Sequence, residues 1–322
     1  MQDHAIMNGF GRFGLHFLAY YLERVKESNF SLLKVNDEHL RFEQMLDMIK
    51  SDHYVKITDN WDLEIDGSII IFKNEFDIHR VEFQNQSLAD FAANHEGILL
   101  ECSGRFTNTE IFPDMSRLKR IFISATSLNA DSTILVGFNE DAFNEKQKFV
   151  SYGSCTVNSF VPLASALNRE FRVLNSDVNV IHNIPEYLLQ RSPDIFERRS
   201  CTLSIMGPKL LDFLNDENFN VNYTIVPISG VSRIDFRFEL EKSFELNEVV
   251  ETIEKVSNKA GLKLYDFHEA DNGPHDSLLS VYSTEFLLNQ SRKVGQTLYL
   301  SGYFDTENSV NRYYDLINTI GM

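Results

Sequence analysis

The feature that most constrains this chain is a cluster of three glycines near the amino terminus, between two apolar runs of different period. Residues 5–7 are apolar and predict a strand, and residues 15–25 carry apolar side chains at helical spacing. The segment between them, residues 8–14, reads Asn-Gly-Phe-Gly-Arg-Phe-Gly. A strand, a glycine turn and a helix in this order predict the first unit of a dinucleotide-binding fold, although an ordinary tight turn can use the same residues.

Each glycine of this segment has a separate expected role. Gly9 allows the tight turn, Gly11 lets a pyrophosphate approach the backbone, and Gly14 lets the helix pack closely on the strand. A second apolar run ends about 20 residues after the last glycine at Asp37, whose carboxylate can bind the two hydroxyls of an adenosine ribose. A carboxylate there repels a 2′-phosphate, so NAD is favoured over NADP. The alternative for Asp37 is the N-cap of a helix that begins near His39.

Further short apolar runs alternate with polar or helical segments. They predict strands joined by crossovers, and hence a mostly parallel, doubly wound sheet. Because ligands bind beyond the carboxyl ends of such strands, Ser103, Gly104 and Ser124 are expected at the cofactor crevice. The predicted strands cover residues 68–72, 98–101, 121–124, 134–138 and 149–152, with an amphipathic segment at residues 88–95.

A cysteine follows the last of these runs. Residues 151–158 read Ser-Tyr-Gly-Ser-Cys-Thr-Val-Asn, and residues 160–167 show helical apolar spacing. Cys155 is therefore expected in the first turn of a helix, where unpaired N–H groups and the positive end of the helix dipole favour a thiolate. A nucleophile is one interpretation of this residue. A small buried side chain at a strand-to-helix joint is the other.

The charge of the chain narrows the range of partners. Its 322 residues include 30 Lys+Arg and 47 Asp+Glu, which gives a formal net charge of −17. A polyanion meets a repulsive field, so neither nucleic acid nor an anionic membrane is an expected partner. A small anionic substrate would need a focused cationic pocket.

With 43% hydrophobic residues, a chain of this length can form two domains.

The cysteines indicate a reducing compartment. Cys102, Cys155 and Cys201 are odd in number and widely spaced, with no CxxC pair and no clustered His/Cys spacing. Neither a disulfide framework nor a metal site is predicted. The amino terminus shows no leader pattern and no run approaches the length of a membrane span, so a cytoplasmic location is expected.

Taken together, these segments resemble the phosphorylating glyceraldehyde-3-phosphate dehydrogenase family nearly end to end. The order and spacing of the matching segments make the resemblance specific. They are residues 8–14 (the amino-terminal NAD fingerprint), 101–106 (E-x-T-G-x-F), 123–125 (I-S-A-P-S), 136–139 (V-x-G-V-N), 154–158 with Pro162 (S-C-T-T-N-x-x-x-P), 178–182 (M-T-T-V-H) and 302–312 (W-Y-D-N-E-x-G-Y-S-N-R).

The resemblance implies an α/β fold with two domains. Residues 1–154 would form a doubly wound Rossmann-type NAD domain, completed by a carboxyl-terminal helix at residues 305–322. Residues 155–304 would form an α+β catalytic domain with a mostly antiparallel or mixed sheet. Its strand candidates are residues 223–228, 231–240 and 297–301, with a helix at 246–259. A homotetramer is also implied.

The resemblance also implies the site residues. Cys155 would be the nucleophile and His182 its general base. The implied cofactor contacts are Gly9, Phe10, Gly11, Arg12, Phe13, Asp37, Ser103, Gly104, Ser124 and Thr306. The candidate contacts for the substrate or for inorganic phosphate are Ser154, Thr156, Arg198, Arg199, Gly207 and Arg233. For Arg198 and Arg199, a solvated face or an intersubunit ion pair is the alternative.

The departures from the family lie in the substrate site. Pro185 stands where the family has a threonine near the substrate phosphate, and Ile225 stands where it has an arginine for that phosphate. Losing a guanidinium contact to a phosphate typically removes about 1.5–3 kcal/mol of binding. Thr306 replaces the asparagine that holds the nicotinamide carboxamide, and Met206 replaces the threonine of a Thr-Gly pair.

The implied activity is NAD-dependent oxidation of an aldehyde through a Cys155 thioester, with phosphorolysis to an acyl phosphate as in glycolysis. The aldehyde is glyceraldehyde 3-phosphate or a related compound, because the substrate-phosphate contacts differ. The alternative is a catalytically weak paralogue that binds NAD and acts through protein partners.

Overall fold

The protein is an α/β chain with two sheets, which confirms the predicted fold class. Its computed structural model describes residues 3–189 and 191–321. The chain divides into two compact units. One contains the residues up to 134, residues 139–153 and those from 310 onward, and the other contains residues 135–138 and 154–309. Within the described ranges, no helix has the length and apolar character needed to cross a membrane.

The first unit is built on a nine-stranded sheet with the order β3-β4-β5-β2-β1-β6-β7-β9-β8. From β5 to β8 in this order all neighbours pair in parallel, and β3-β4-β5 is an antiparallel edge. The strands are β1 (Asp3–Asn8), β2 (Phe30–Asn36), β3 (Asp62–Asp66), β4 (Ile69–Lys73), β5 (Ile78–Gln84), β6 (Ile98–Glu101), β7 (Arg120–Ile123), β8 (Ser132–Thr133) and β9 (Phe149–Ser151). The helices are α1 (Arg12–Glu23), α2 (Phe42–Ser51), α3 (Ile57–Asn60) and α4 (Leu88–Ala92).

The central strands of this sheet are buried on both faces, which explains their continuous apolar sequences. Every residue of β6 and β7 is buried. Leu99 and Ile121 from these strands join one core cluster with Leu88 and Phe91 of α4. The glycine turn follows β1, which lies in the middle of the sheet and pairs with β2 on one side and β6 on the other.

The second unit is built on a mixed sheet with the order β11-β12-β10-β13-β17-β15-β14, and β16 pairs with β17. The β10–β12 and β14–β15 pairs are parallel, and the other pairs are antiparallel. The strands are β10 (Val173–His182), β11 (Glu197–Arg198), β12 (Phe219–Ile225), β13 (Ser232–Leu240), β14 (Tyr265–His268), β15 (Thr284–Leu287), β16 (Arg292–Val294) and β17 (Thr297–Phe304). The helices are α5 (Cys155–Phe171), α6 (Glu186–Leu189), α7 (Leu203–Leu210) and α8 (Leu246–Ser257). Helix α9 (Thr306–Ile320) begins in this unit, and its residues from 310 onward belong to the first unit.

One face of this second sheet is apolar and the other is polar. Along β13, buried residues alternate with partly exposed ones. The buried Ile234 and Phe238 share a core with Val180 of β10 and Phe160 of α5. We call this the inner face, and the opposite face, which carries Arg233 and its alternating neighbours, the outer face.

The strand predicted at residues 134–138 is wrong. The structure has a two-residue strand at β8 and a turn at residues 136–138. Gly137 has a positive φ of 85°, which interrupts an extended backbone. Leu135 is fully buried in the core of the second unit. The apolar run is therefore explained by insertion into that core.

The structure gives a steric reason for Gly9, and this generates a prediction. Gly9 has a φ of +97°, and a Cβ there would lie 2.3 Å from the Ser103 backbone nitrogen. Gly67 has a φ of +60° with no atom within 4 Å of its Cβ position. We expect Gly67→Ala to lower the free energy of unfolding by about 1–2 kcal/mol. Gly9→Ala should cost more, about 3 kcal/mol or above, because the Ser103 backbone must also move. Urea unfolding measures both, and equal losses would contradict the steric argument.

Candidate active site

The candidate nucleophile stands at the start of a helix. Helix α5 begins at Cys155, and the hydroxyl oxygen of its N-cap, Ser154, accepts a hydrogen bond from the Val157 N–H at 3.4 Å. A serine at the N-cap satisfies one N–H of the first turn, so the helix begins before its apolar residues. Cys155 is partly buried in this turn, where backbone N–H groups have no helical carbonyl partner.

His182 faces this cysteine from the end of β10. Its Nε2 lies 3.8 Å from the Cys155 sulfur, and its Nδ1 lies 2.9 Å from the Asn183 carbonyl oxygen. A carbonyl oxygen can only accept, so Nδ1 carries the proton and Nε2 of the neutral ring presents its lone pair to the thiol. The arrangement lets His182 take the proton of Cys155.

The environment of the thiol disfavours the thiolate in the resting site. Burial, and then the neighbouring Cys201 and Asp305, raise the pKa of Cys155 to about 12. The Thr156 backbone N–H and the Thr306 hydroxyl act in the opposite direction. The expectation of a thiolate favoured by the helix start is therefore not met, because desolvation outweighs the helix-terminal N–H groups. A base within reach is then required, and His182 is placed to be one.

Sequence reasoning missed Asp305, which is 1% exposed at the junction of β17 and α9. Its Oδ1 accepts a hydrogen bond of 3.1 Å from the Asn183 side-chain amide. Asp305 is thus linked to the residue whose carbonyl orients His182, and its charge acts on the Cys155 thiol. Its position before a helix was a signal for an N-cap, but the sequence could not place it beside Cys155.

His182 lies between two aromatic rings. Its centroid is 5.3 Å from that of Tyr223 and 5.7 Å from that of Phe304. Burial, and then the neighbouring Cys155, raise the pKa of the Tyr223 phenol. Tyr223 was not predicted as a site residue. The parallel register that pairs it with Val180, and so puts it on the inner face beside His182, is a long-range property of the sheet.

An apolar wall adjoins His182. Ile225 is its register partner on β12 and is 7% exposed. The resemblance implies an arginine at this position, and the structure has an aliphatic side chain there. Pro185 follows shortly after β10 and is partly exposed.

Three hydroxyl groups cluster next to Cys155. The Ser154 oxygen lies 3.1 Å from that of Thr156 and 3.2 Å from that of Thr202. The Thr156 hydroxyl also lies 3.5 Å from the Cys201 sulfur. Thr202 was not predicted, although a threonine directly before the helical run of α7 is an N-terminal helix signal. The cluster offers neutral hydrogen-bond donors for an anion.

Gly207 lies inside α7 and not in a loop. A Cβ on this residue would lie 2.6 Å from the ring of Phe219. The structure therefore gives a packing reason for this glycine. Met206, which precedes Gly207, has no hydroxyl group. The hydroxyl group next to Ser154 belongs to Thr202.

The adjacent arginines of β11 and its end have local partners. The Arg198 guanidinium donates to the Thr224 hydroxyl and to the Asn222 side chain. Arg199 forms an ion pair of 2.6 Å with Glu197. Both residues are exposed, so these pairs contribute little to stability. Glu197, which Arg199 contacts, is the register partner of Ile225 on β12.

Arg233 lies away from the Cys155–His182 pair. It is the register partner of Ile181 on β10, so it belongs to the outer face, opposite His182. Its guanidinium donates to the Ser301 hydroxyl at 2.7 Å and approaches Asp235 at 3.5 Å. The structure does not bring Arg233 together with the other candidate anion contacts.

The glycine turn of the first unit forms one wall of a cleft. Gly9, Asp37 and Ser103 all line it. The Phe10 N–H donates to Asp37 Oδ2 at 2.8 Å, so the carboxylate is held against the turn. A Cβ at Gly11 would meet no atom within 4 Å, which leaves the backbone open at the N-cap of α1. An open glycine backbone at a helix start fits a dinucleotide pyrophosphate.

Asp37 also organises its own loop. Its Oδ1 accepts from the backbone N–H groups of His39 at 2.9 Å and Leu40 at 3.1 Å. The alternative of a helix N-cap is wrong, because α2 begins at Phe42 and its N-cap is Arg41. Asp37 closes a turn that precedes the helix.

The other implied cofactor contacts have these places. Arg12 is the first residue of α1, and Phe13 packs edge-on against Tyr152 and Tyr313 in the first unit. Gly104 has a φ of +69° in the turn after β6. The Ser124 N–H donates to the Glu101 carbonyl at 2.9 Å. Thr306 begins α9 within the second unit.

Glu101 is a buried carboxyl group beside the cleft. It accepts hydrogen bonds of 2.7 Å from the Asn8 side chain and from the Ser103 N–H. Burial nevertheless raises its pKa from 4.5 to about 7, because these contacts only partly compensate for the loss of water.

These features define a two-sheet α/β protein with a dinucleotide-type glycine turn and a Cys–His pair. A family model described as "Glyceraldehyde 3-phosphate dehydrogenase, C-terminal domain" matches residues 154–301. Glyceraldehyde-3-phosphate dehydrogenase of Mycolicibacterium smegmatis is 26% identical, over 98% of this chain and 97% of that protein. Glyceraldehyde-3-phosphate dehydrogenase 2 of Trichormus variabilis is 26% identical (82% and 81% covered), and the enzyme of Sclerotinia sclerotiorum is 25% identical (78% and 77%).

These matches support a divergent member of the glyceraldehyde-3-phosphate dehydrogenase family. This assignment supports NAD as the cofactor and an NAD-dependent oxidoreductase as the class of enzyme.

Glu101 predicts a specific pH dependence of stability. A carboxyl pKa raised in the folded state contributes stability that is fully present below about pH 4.5 and is lost as the pH rises to about 7. The loss approaches about 3 kcal/mol. Glu101→Gln keeps a neutral side chain and should flatten the free energy of unfolding between pH 5 and 7, measured by urea unfolding at each pH. The exposed Glu75→Gln is the matched control and should keep the wild-type slope. A wild-type slope in Glu101→Gln would contradict the assignment.

The charge of Asp305 predicts the reactivity of Cys155. Asp305→Asn removes a carboxylate that raises the thiol pKa, so alkylation of Cys155 by iodoacetamide at pH 7 should become severalfold faster. His182→Gln should slow it, because the base is lost. Peptide mass mapping separates Cys155 from the buried Cys102 and Cys201. Asp235→Asn, on the outer face, should leave the rate unchanged. Equal rates in all variants would show that neither residue acts on the thiol.

Proposed function

We propose that this protein is an NAD-dependent aldehyde dehydrogenase that forms a thioester on Cys155 and transfers the acyl group to inorganic phosphate. The observation that carries the proposal is the 3.8 Å contact between the Cys155 sulfur and His182 Nε2, in a ring whose Nδ1–H is held by the Asn183 carbonyl. This geometry gives a nucleophile, a base and an orienting group in order.

The first step is addition of the sulfur to the aldehyde. His182 Nε2 takes the thiol proton as the sulfur attacks the carbonyl carbon, and the imidazolium then donates that proton to the new oxygen, forming a hemithioacetal. The backbone N–H groups at the start of α5 stabilise the oxygen while it is negative. Because burial raises the pKa of Cys155, the reaction needs a base within reach of the sulfur, and His182 is that base.

The second step oxidises the hemithioacetal. NAD, when bound, supplies the hydride acceptor. The hydride leaves the former aldehyde carbon while His182 takes back the hydroxyl proton, and the product is a thioester. A phosphate oxygen then attacks the thioester carbon, the carbon–sulfur bond breaks, and the thiolate recovers its proton from His182. An acyl phosphate and the free thiol remain.

The hydroxyl cluster of Ser154, Thr156 and Thr202 supports phosphate as the acyl acceptor. The Ser154 hydroxyl lies 3.1 Å from that of Thr156 and 3.2 Å from that of Thr202, and each of the three can donate to an anion. Neutral donors bind phosphate without adding a cation to the site. Arg199, which is paired with Glu197, is a further candidate for a charged contact.

The substrate is an aldehyde whose far end differs from that of glyceraldehyde 3-phosphate. Ile225 and Tyr223 give the surroundings of His182 an apolar surface, and a phosphate placed against it would lose water. An uncharged end suits such a wall. A homotetramer in the cytoplasm, as the resemblance and the cysteine usage predict, completes the proposal.

A second candidate is a catalytically weak member of the family that binds NAD and acts through protein partners. The observation that favours it is the altered substrate site, in which the aliphatic Ile225 is the register partner of His182. Such a protein would bind NAD yet reduce none of it with any aldehyde.

An aldehyde screen tests the proposal. The protein is mixed with NAD, inorganic phosphate and glyceraldehyde 3-phosphate, erythrose 4-phosphate or unphosphorylated aldehydes, and absorbance of the reduced nicotinamide is followed. We expect turnover that Cys155→Ser abolishes, with unphosphorylated aldehydes preferred. Thr202→Val should raise the KM for phosphate about tenfold without changing the KM for the aldehyde, since it removes one donor to an anion.

Thr224→Val, which removes a hydroxyl that accepts from Arg198, is the matched control and should keep both constants. Normal turnover of glyceraldehyde 3-phosphate as the best substrate would refute the altered specificity. No reduction with any aldehyde, while calorimetry shows NAD binding, would establish the second candidate.

A further inference from the structure

The edge of the second sheet carries a cluster of side chains that the proposed reaction does not use. Asp266 and His268 are two residues apart on β14, so their side chains share one face of the strand. Glu285 on β15 is the register partner of Asp266 and lies on the same face. The alternation thus brings two carboxylates and an imidazole together at the edge of the sheet.

The spacing of these groups suits a metal ion. One donor atom from each of Asp266, His268 and Glu285 lies within 4.8 Å of the other two. His268 Nε2 is 3.6 Å from Glu285 Oε2. Ligand atoms bound at about 2.0–2.2 Å to one ion are separated by up to roughly 4 Å, so small side-chain rotations complete the site.

The cluster contains buried polar atoms without hydrogen-bond partners, and this second observation points to a ligand. The Glu285 side chain is 5% exposed, and both its Oε2 and His268 Nε2 are buried with no hydrogen-bond partner. A buried carboxylate oxygen without a hydrogen-bond partner lowers the stability of the fold unless a cation compensates for its charge.

Neighbouring groups orient the cluster and report its charge. The Ser280 hydroxyl donates to Glu285 Oε1, which fixes the carboxylate and leaves Oε2 directed at the cluster. Burial, then the charges of Asp266 and Glu285, raise the pKa of the Tyr282 phenol.

We propose that Asp266, His268 and Glu285 bind a divalent first-row transition metal ion, with zinc as the best match. One imidazole and two carboxylates are common zinc ligands, and together they offset the charge of the ion. His268 is one-third exposed, so the cluster lies close to the protein surface. The ion bridges β14 to β15.

The site has a structural role. β14 is the last strand of its sheet and has only β15 as a neighbour in the strand order. A short edge strand is easily opened, and an ion shared between it and its neighbour closes that edge. Cys155 and His182, at the start of α5 and the end of β10, contribute no ligand to it.

Zinc titration tests the proposal. The protein is the full-length chain with Cys155→Ser, which removes the reactive thiol, and it is first treated with a chelator. Calorimetry should show one zinc ion bound per chain, and zinc should raise the midpoint of thermal unfolding. His268→Gln and Glu285→Gln, each in the same background, should weaken binding by at least about 100-fold and remove the thermal shift. Glu269→Gln, an exposed neighbour, is the matched control and should bind as the background does.

Cobalt substitution identifies the ligands independently of stability. Cobalt bound at this site should show visible absorption without a sulfur-to-cobalt charge-transfer band, because no thiolate is a ligand. A charge-transfer band, binding that survives in His268→Gln, or no zinc binding by a background protein whose circular dichroism is native would overturn the proposal. NAD binding by each variant confirms that loss of zinc binding is not loss of folding.

Discussion

The packing of helix α5 against the inner face of the second sheet is the constraint on which the candidate site depends. Phe160, one turn into this helix, lies 5.0 Å from Phe219 and 5.7 Å from Phe238, ring centre to ring centre, and is fully buried. This contact fixes where the helix starts relative to the end of β10. Cys155 and His182 meet because one is the first residue of the helix and the other is the last residue of the strand.

The electrostatics of the two units follow from burial more than from charge pairing. The pKa values of Cys155 and Glu101 are both raised, and in both cases loss of water is the largest cause. Helix-terminal N–H groups and hydrogen bonds act against it without reversing it. In such surroundings the Cys155 thiol can lose its proton only to an acceptor within reach. The orientation of His182 allows it to be that acceptor.

The sequence predicted the parts of the site that depend on local patterns. The glycine turn, the start of α5 at Cys155 and the strand that ends at His182 each rest on a few adjacent residues, and the structure has them there. It did not predict Tyr223, Thr202 or Asp305, because their proximity to Cys155 depends on strand register and chain reversal. The run at 134–138 was misread for a related reason: apolar residues indicate burial, and they form a strand only where a neighbour pairs with them.

Two hydroxyl groups connect the edge of the second sheet to the first turn of α5. The Tyr265 hydroxyl donates to the Ser159 carbonyl at 3.0 Å, and the Ser159 hydroxyl lies 2.8 Å from the Cys155 carbonyl and 3.0 Å from that of Ser283. Tyr265 precedes Asp266 on β14, and Ser283 precedes β15. An ion that holds β14 and β15 together would therefore also restrain the two strand ends that anchor the helix of the nucleophile. Stability at the edge and geometry at Cys155 are then parts of one packing arrangement, because both rest on the same pair of strands.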